Sequence, residues 1–389
     1  MFFSLILNIL LSFLSYFVSK NNNQILMGSR DGKFVDNTKY FFLYLMTQES
    51  SLVFHWITKN KKLYKKFKDL DYPVVYLYSL QGFKTILKSN FLLLNQLVDD
   101  VSFSPILLGK FNLVNLWHGT PFKRITIHDI KNQHSLKHTL KKIVKYFYKQ
   151  SFFCILSSSN ITSERFKEAV NSKSFPILGY PRNDVFFNKK LIFEDYSTLL
   201  QLTKYSKVFL YCPTLRDNTT KKPFSEEFLS KLNQFLIEKN SIFLIKWHTY
   251  EKHQYPMKEF SRIKDISEKI NDIQELLPFI DILITDYSSV SYDFSLLEKP
   301  IIFYSYDYED YIKSRNIYGQ YFDEFPGPFI KNENDLLTEF TKIESIFNSK
   351  KNLERYQKFK AKFNQFQDGN SCQRLLDFLV STAHNQKTS

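Results

Sequence analysis

DILITDYSSVSYDFSLLEKPIIFY, residues 281–304, holds a whole strand–helix–strand unit in one line of sequence. ILIT (282–285) and PIIFY (300–304) are short, almost wholly apolar runs, as strands buried on both faces must be. Between them Asp286 ends the first strand, and Tyr287, Ser288 and Ser289 open a helix that returns the chain to a parallel neighbour. Working outward, the alternation repeats. VFLYC (208–212) and IFLIKW (242–247) precede this unit. Earlier come ILM (25–27), LVFHWI (52–57), PVVYLY (73–78), FLLL (91–94), LVNLW (113–117), FFCIL (152–156) and PILGY (176–180), with helical stretches such as 37–48 and 162–170 between them. Residues 185–206 carry no clear element and divide the two series.

The pattern predicts an α/β protein of two Rossmann-like domains facing a cleft, over residues 21–190 and 191–365. A helical segment from about 350 to 380 ends the chain, with 366–389 as a C-terminal helix and tail crossing back to the first domain. The 389 residues, 43% of them hydrophobic, suffice for two buried cores and exclude a disordered chain. Nine glycines form no G-x-G-x-x-G and no P-loop, so neither standard phosphate-cradling fingerprint is present. Cys154, Cys212 and Cys372 are too few and too scattered for a disulfide framework or a zinc knuckle. The formal charge of +14 suits anionic lipid, nucleic acid or a phosphate-rich substrate.

Residues 1–18, MFFSLILNILLSFLSYFV, are apolar and uncharged and lack the basic start and cleavage site of a signal peptide. Ser4, Asn8, Ser12, Ser15 and Ser19 lie at helical spacing, a weakly polar stripe. Such a helix spans a membrane, lies along it, or packs on the protein itself. The lysine-rich stretch 131–149 sets Leu136, Leu140, Ile143 and Phe147 on one face, which reads either as a membrane-surface helix or as an ordinary surface helix.

Ligands of parallel α/β sheets bind beyond the carboxyl ends of the strands. There the sequence puts His118, followed by Gly119 and Thr120 in a tight turn, as a candidate general base. Arg182 and Asn183, in the turn GYPRND, either touch substrate or brace a hinge. Thr214, Arg216 and Asp217 follow the next strand, where an arginine suits bidentate phosphate binding. Lys246 and His248 alternate about Trp247 and project to one side. Asp286, Ser288 and Ser289 complete the set as an anion site at a helix start, while Glu298 either bonds a sugar hydroxyl or faces solvent. The only D-x-D, Asp69–Asp71, precedes a strand, so no metal is expected.

GSRDGKFVDNTKY (28–40), HGTPFK (118–123), GYPRND (179–184), PTLRD (213–217), KWH (246–248) and DILITDYSS (281–289), taken together, resemble the CDP-glycerol glycerophosphotransferase family of teichoic-acid and capsule synthesis. The resemblance implies a GT-B fold and transfer of glycerol phosphate from CDP-glycerol to a polyol-phosphate or lipid-linked acceptor, with release of CMP and no cofactor. It also implies His118 as the base, and His248, Arg216, Ser288 and Ser289 around the diphosphate, with Asp286 orienting the loop or touching the donor. The expected location is peripheral, on an anionic membrane surface at the cytoplasmic face, without nucleic acid. Leu215, Thr249 and Arg315–Gly319 depart from the family pattern around the donor half, which leaves CDP-ribitol as an alternative donor. A GT-B glycosyltransferase using a CMP- or UDP-sugar is a second reading, and a non-catalytic protein of anionic surfaces a third.

Overall fold

The computed structural model describes residues 2–49, 52–105, 107–124, 152–170, 172–216, 222–247, 259–314 and 317–388. Thirteen strands form two all-parallel sheets. The first sheet holds β1 (Asn21–Met27), β2 (Val53–Thr58), β3 (Val74–Tyr76), β4 (Ser89–Leu94), β5 (Asn112–Asn115), β6 (Phe152–Ile155) and β7 (Ser172–Ser174), ordered β3-β2-β1-β4-β5-β6-β7. The second holds β8 (Lys207–Tyr211), β9 (Ser241–Ile245), β10 (Ile263–Asp265), β11 (Ile282–Thr285), β12 (Ile301–Tyr304) and β13 (Phe329–Ile330), ordered β10-β9-β8-β11-β12-β13. Each sheet reverses direction beside its first strand, and such switch points are where open α/β sheets leave room for a ligand.

The chain divides into two compact units. One comprises Met1–His118, Ile125–Leu191 and Gln365–Ser389, and the other Gly119–Arg124 and Ile192–Asn364. The first core gathers Leu26, Ile57, Val75, Leu92, Leu113 and Ile155 from the sheet with Ile86 and Phe166 from the flanking helices. In the second, Phe209, Phe243, Ile284 and Ile302 meet Leu229, Leu232 and Leu336. Helix starts are set by sequence. Ser79, Ser159, Ser225 and Asn332 each cap a following helix by accepting a backbone N–H, a contribution of about 1 kcal/mol apiece.

Three expectations need correction. PILGY is not a strand: the seventh strand is the polar SKS at 172–174, and only Ile177 pairs onward, in a single bridge to Ser157. Pro176 has no N–H to donate and Gly179 sits at φ +80°, so the ladder stops there. Residues 185–206, read as featureless, contain the short helix Tyr196–Leu200 between 3₁₀ turns. The apolar N-terminus forms a helix only over Phe2–Leu14, and no described helix is long and apolar enough to cross a membrane. The stretch 131–149 lies outside the described residues.

Candidate active site

In the first unit, the strand-end loops of β1, β4 and β5 build the surroundings of His118. Leu116 continues from β5 by donating to Leu94 O, and Trp117 then turns the chain at φ +58°. Asn37 holds this turn: its Nδ2 donates to Leu116 O at 3.0 Å and to Trp117 O at 2.9 Å. The His118 ring stacks on Trp117, with Nδ1 3.3 Å from Asn95 O. A backbone carbonyl can only accept, so neutral His118 carries its proton on Nδ1 and presents a lone pair on Nε2. Burial lowers the His118 pKa, although the Asp36 carboxylate and the Asn95 carbonyl pull it upward.

Arg182 closes the other side. Its Nη1 donates to Asp36 Oδ1 at 3.1 Å and to His118 O at 2.9 Å, while its backbone N–H donates to Asn37 Oδ1. Asn95 is fixed in turn, accepting from Thr38 N and donating to Ser29 Oγ and Thr38 Oγ1. Asp100 accepts from Asn95 N and Gln96 N, yet burial still pushes its pKa up to about 7. GSRDGKFVDNTKY thus has a physical role: its Ser29, Asp36, Asn37 and Thr38 brace the loop that carries the histidine. Asn183 is buried in the same 3₁₀ turn as Arg182, and Asp184 accepts from Ser371 N and Cys372 N at the start of the final helix, Ser371–Thr388.

The second unit gathers Thr214, Arg216 and Asp286. Arg216 Nε and Nη2 donate to Asp307 at 2.6 and 2.9 Å, Nη2 also to Asp286 at 2.8 Å, and Nη1 to Thr214 O at 2.6 Å. Burial works against this charge, but Asp286 and Asp307 outweigh it and hold the guanidinium ionised among the rings of Tyr287, Tyr306 and Tyr311. One of its five N–H donors, on Nη1, stays uncommitted. Asp286 is fully buried and accepts from Thr214 N and Tyr287 N, so it joins the ends of β8 and β11. The Thr214 Oγ1 hydroxyl is buried without a partner among the described residues.

Ser288 and Ser289 are partly exposed beyond β11, where the helix proper is only Val290–Phe294. Lys246 follows β9 and its Nζ donates to Ser267 O at 3.3 Å. Glu298 does not join this group. At φ +53° it ends the turn after the helix and pairs with Lys360 and Gln357, and Lys360 lowers its pKa. Gly119 takes φ +134° and Thr120 is buried, in a segment that closes against the second unit through a Lys123–Ile317 bridge and Phe122 packed on Phe325. His248 and Asp217 lie outside the described residues. Among those described, no group of three His, Cys, Asp or Glu could hold a metal ion.

Asn95 and Asp307 were not singled out from sequence, although each follows closely on a strand, the same signal that found His118. Asp36 and Asn37 lay inside a quoted motif without a role.

Two doubly wound sheets, each with polar side chains at the carboxyl ends of its strands, define a GT-B transferase. The family profile described as CDP-Glycerol:Poly(glycerophosphate) glycerophosphotransferase matches residues 10–381. A teichoic acid glycerol-phosphate transferase of Staphylococcus aureus is 30% identical over 91% of this chain and 92% of its own. A teichoic acid glycerol-phosphate primase of Bacillus spizizenii is 27% identical over 82% of each. Among solved structures, the wall teichoic acid polymerase TagF superposes with a TM-score of 0.80 at 23% identity, over 98% of this chain and 94% of that one. The chain belongs to the CDP-glycerol:poly(glycerophosphate) glycerophosphotransferase family. It is an enzyme that transfers glycerol phosphate from CDP-glycerol in teichoic-acid synthesis.

Proposed function

We propose that His118 is the general base of this transfer and that the second unit's strand ends hold the CDP group. The supporting observation is the His118 ring: its Nδ1 is engaged by a carbonyl and its pKa is lowered, so the imidazole is neutral with Nε2 free to take a proton. The acceptor hydroxyl loses its proton to Nε2 as its oxygen attacks the β-phosphorus. The new P–O bond forms while the bond from that phosphorus to the bridging oxygen breaks, and CMP leaves with the bridging electrons.

In the second unit, Ser288, Ser289, Thr214 Oγ1, Lys246 and the remaining Arg216 N–H supply donors for the diphosphate, with His248 assigned to the same group. Asp286 acts by fixing the Tyr287–Ser289 loop. Arg182 and Asn183 shape the acceptor side, Gly119 and Thr120 the turn after the base. The acceptor is a polyol-phosphate or lipid-linked chain of teichoic or capsular type, the reaction needs no metal, and the enzyme works peripherally at the cytoplasmic membrane face.

CMP release by the purified chain, given CDP-glycerol and a soluble polyol-phosphate acceptor, tests this reading. His118→Ala abolishes release while retaining CDP-glycerol binding by calorimetry. Release at the wild-type rate in that variant overturns the base assignment, and release with CDP-ribitol alone overturns the donor.

A further inference from the structure

The helix Phe2–Leu14 is turned inside out. Asn8 Nδ2 donates to Ser102 Oγ at 3.2 Å and Ser104 O at 2.9 Å, and Asn8 Oδ1 accepts from Phe103 N. One turn on, Ser12 Oγ accepts from Leu108 N at 3.0 Å, and Ser15 Oγ from Lys110 N at 2.9 Å. Gly109 lies against this edge so closely that a Cβ there would stand 2.3 Å from Ser15 Oγ. The polar stripe is therefore spent on the protein body, with Leu11 buried beside it. These bonds fix the helix's rotation, so the opposite face cannot roll inward.

That opposite face presents Ile6, Ile9, Leu10 and Phe13, continued by Tyr16 and Phe17, the last 71% exposed. No residue before Lys20 is charged. A contiguous outward apolar face of this kind marks an interaction surface. Apart from the Tyr16 hydroxyl it offers no side-chain hydrogen-bonding group. Protein interfaces carry about one hydrogen bond per 100–200 Å², so a surface this uniform suits a partner with no directional recognition.

Lysines gather at one end of the same face. Lys20 Nζ donates to Leu87 O and lies 3.9 Å from the Phe111 ring centroid, with exposed Lys88 next in sequence to Leu87. Exposed Lys110 is near enough to help burial push the Lys20 pKa down to about 8. Such a helix, 13 residues long, extends only about 20 Å against a hydrocarbon core of about 30 Å. It lies in the interface plane and does not cross it.

We propose that this face docks on a lipid bilayer bearing anionic headgroups, its apolar side chains entering the acyl boundary and Lys20, Lys88 and Lys110 meeting the headgroups. The proposal rests on the peripheral-membrane reading above and names the surface that carries it. The test is sedimentation of the full chain with sucrose-loaded vesicles of phosphatidylglycerol and phosphatidylcholine, or of phosphatidylcholine alone. Wild type sediments with the anionic vesicles, and Ile9→Ser/Phe13→Ser/Phe17→Ser lowers its partition coefficient about tenfold or more while keeping the wild-type circular dichroism spectrum. Lys88→Glu/Lys110→Glu weakens binding to the anionic vesicles and leaves phosphatidylcholine binding unchanged. Unchanged sedimentation of the triple variant, or wild type remaining in the supernatant with both vesicles, overturns the proposal. Light scattering that shows a wild-type dimer lost in the triple variant also overturns it, assigning the face to a second copy. CMP release with a soluble acceptor is read on the same samples and stays at the wild-type rate in both variants. Vesicle binding as expected without CMP release in wild type would refute the transferase reading and leave the docking surface standing.

Discussion

Arg216→Met removes the positive charge from between Asp286 and Asp307, whose side chains are 0% and 5% exposed. Breaking a buried ion pair by deleting one partner costs about 3–5 kcal/mol. The pair Lys167–Glu164, with side chains 53% and 66% exposed, provides the contrast. Such i,i+3 surface pairs contribute about 0.5 kcal/mol or less. In a unit of roughly 180 residues, about 1 kcal/mol moves the thermal midpoint by about 2–4 °C, so Arg216→Met should lower it by about 6–20 °C. Lys167→Met should shift it by less than about 2 °C. Differential scanning calorimetry on the full chain reads both. Adding Asp307→Asn to Arg216→Met removes one stranded carboxylate and should return about 1–3 kcal/mol of coupling. The cluster also ties Asp286 to the Tyr287–Ser289 loop, so Arg216→Met should raise KM for CDP-glycerol. A midpoint within about 2 °C of wild type for Arg216→Met would refute the view that this ion cluster holds the loop.

Because burial lowers the His118 pKa, the acid limb of kcat/KM should have its inflection below the ordinary histidine value of about 6.5. Activity falls only as pH drops through that inflection and the imidazole becomes protonated. Asp36→Asn should move it further down, since the carboxylate raises the value; an upward move would refute the assignment. Gly28→Ala would place a Cβ 2.1 Å from Asp100 O, and should cost about 1–3 kcal/mol as overpacking, read as a lowered midpoint. Transfer should continue in EDTA, and loss of CMP release restored by Mg²⁺ would overturn the metal-free reading.

The fold was legible wherever strands are buried on both faces, because continuous apolar runs leave little else for them to be. ILIT and IIFY both sit in the second sheet as read. The rule failed at sheet margins. SKS at 172–174 is an edge strand, paired on one side only, and needs no apolar face. Ile263–Asp265 and Phe329–Ile330 are equally short edges that no periodicity reveals. Strand-end logic found His118 and Arg216, but residue type alone did not show what they bond. An arginine after a strand reads as a phosphate ligand until Asp307, 91 positions later, is seen to hold its fork. The N-terminal stripe was visible as spacing, while its direction was not: only the loop 102–110 decides that serines face inward and phenylalanines outward.

The path of the chain has a consequence for its synthesis. Asp184 waits for the N–H groups of Ser371 and Cys372, and the final helix packs beside β1, the first strand made. A ribosome has therefore translated nearly the whole message before the first sheet can be covered. The second unit, apart from Gly119–Arg124, runs unbroken from Ile192 to Asn364 and has its parts in hand sooner. Vectorial folding should thus proceed against the order of translation, with the nascent first half the one that needs chaperone protection.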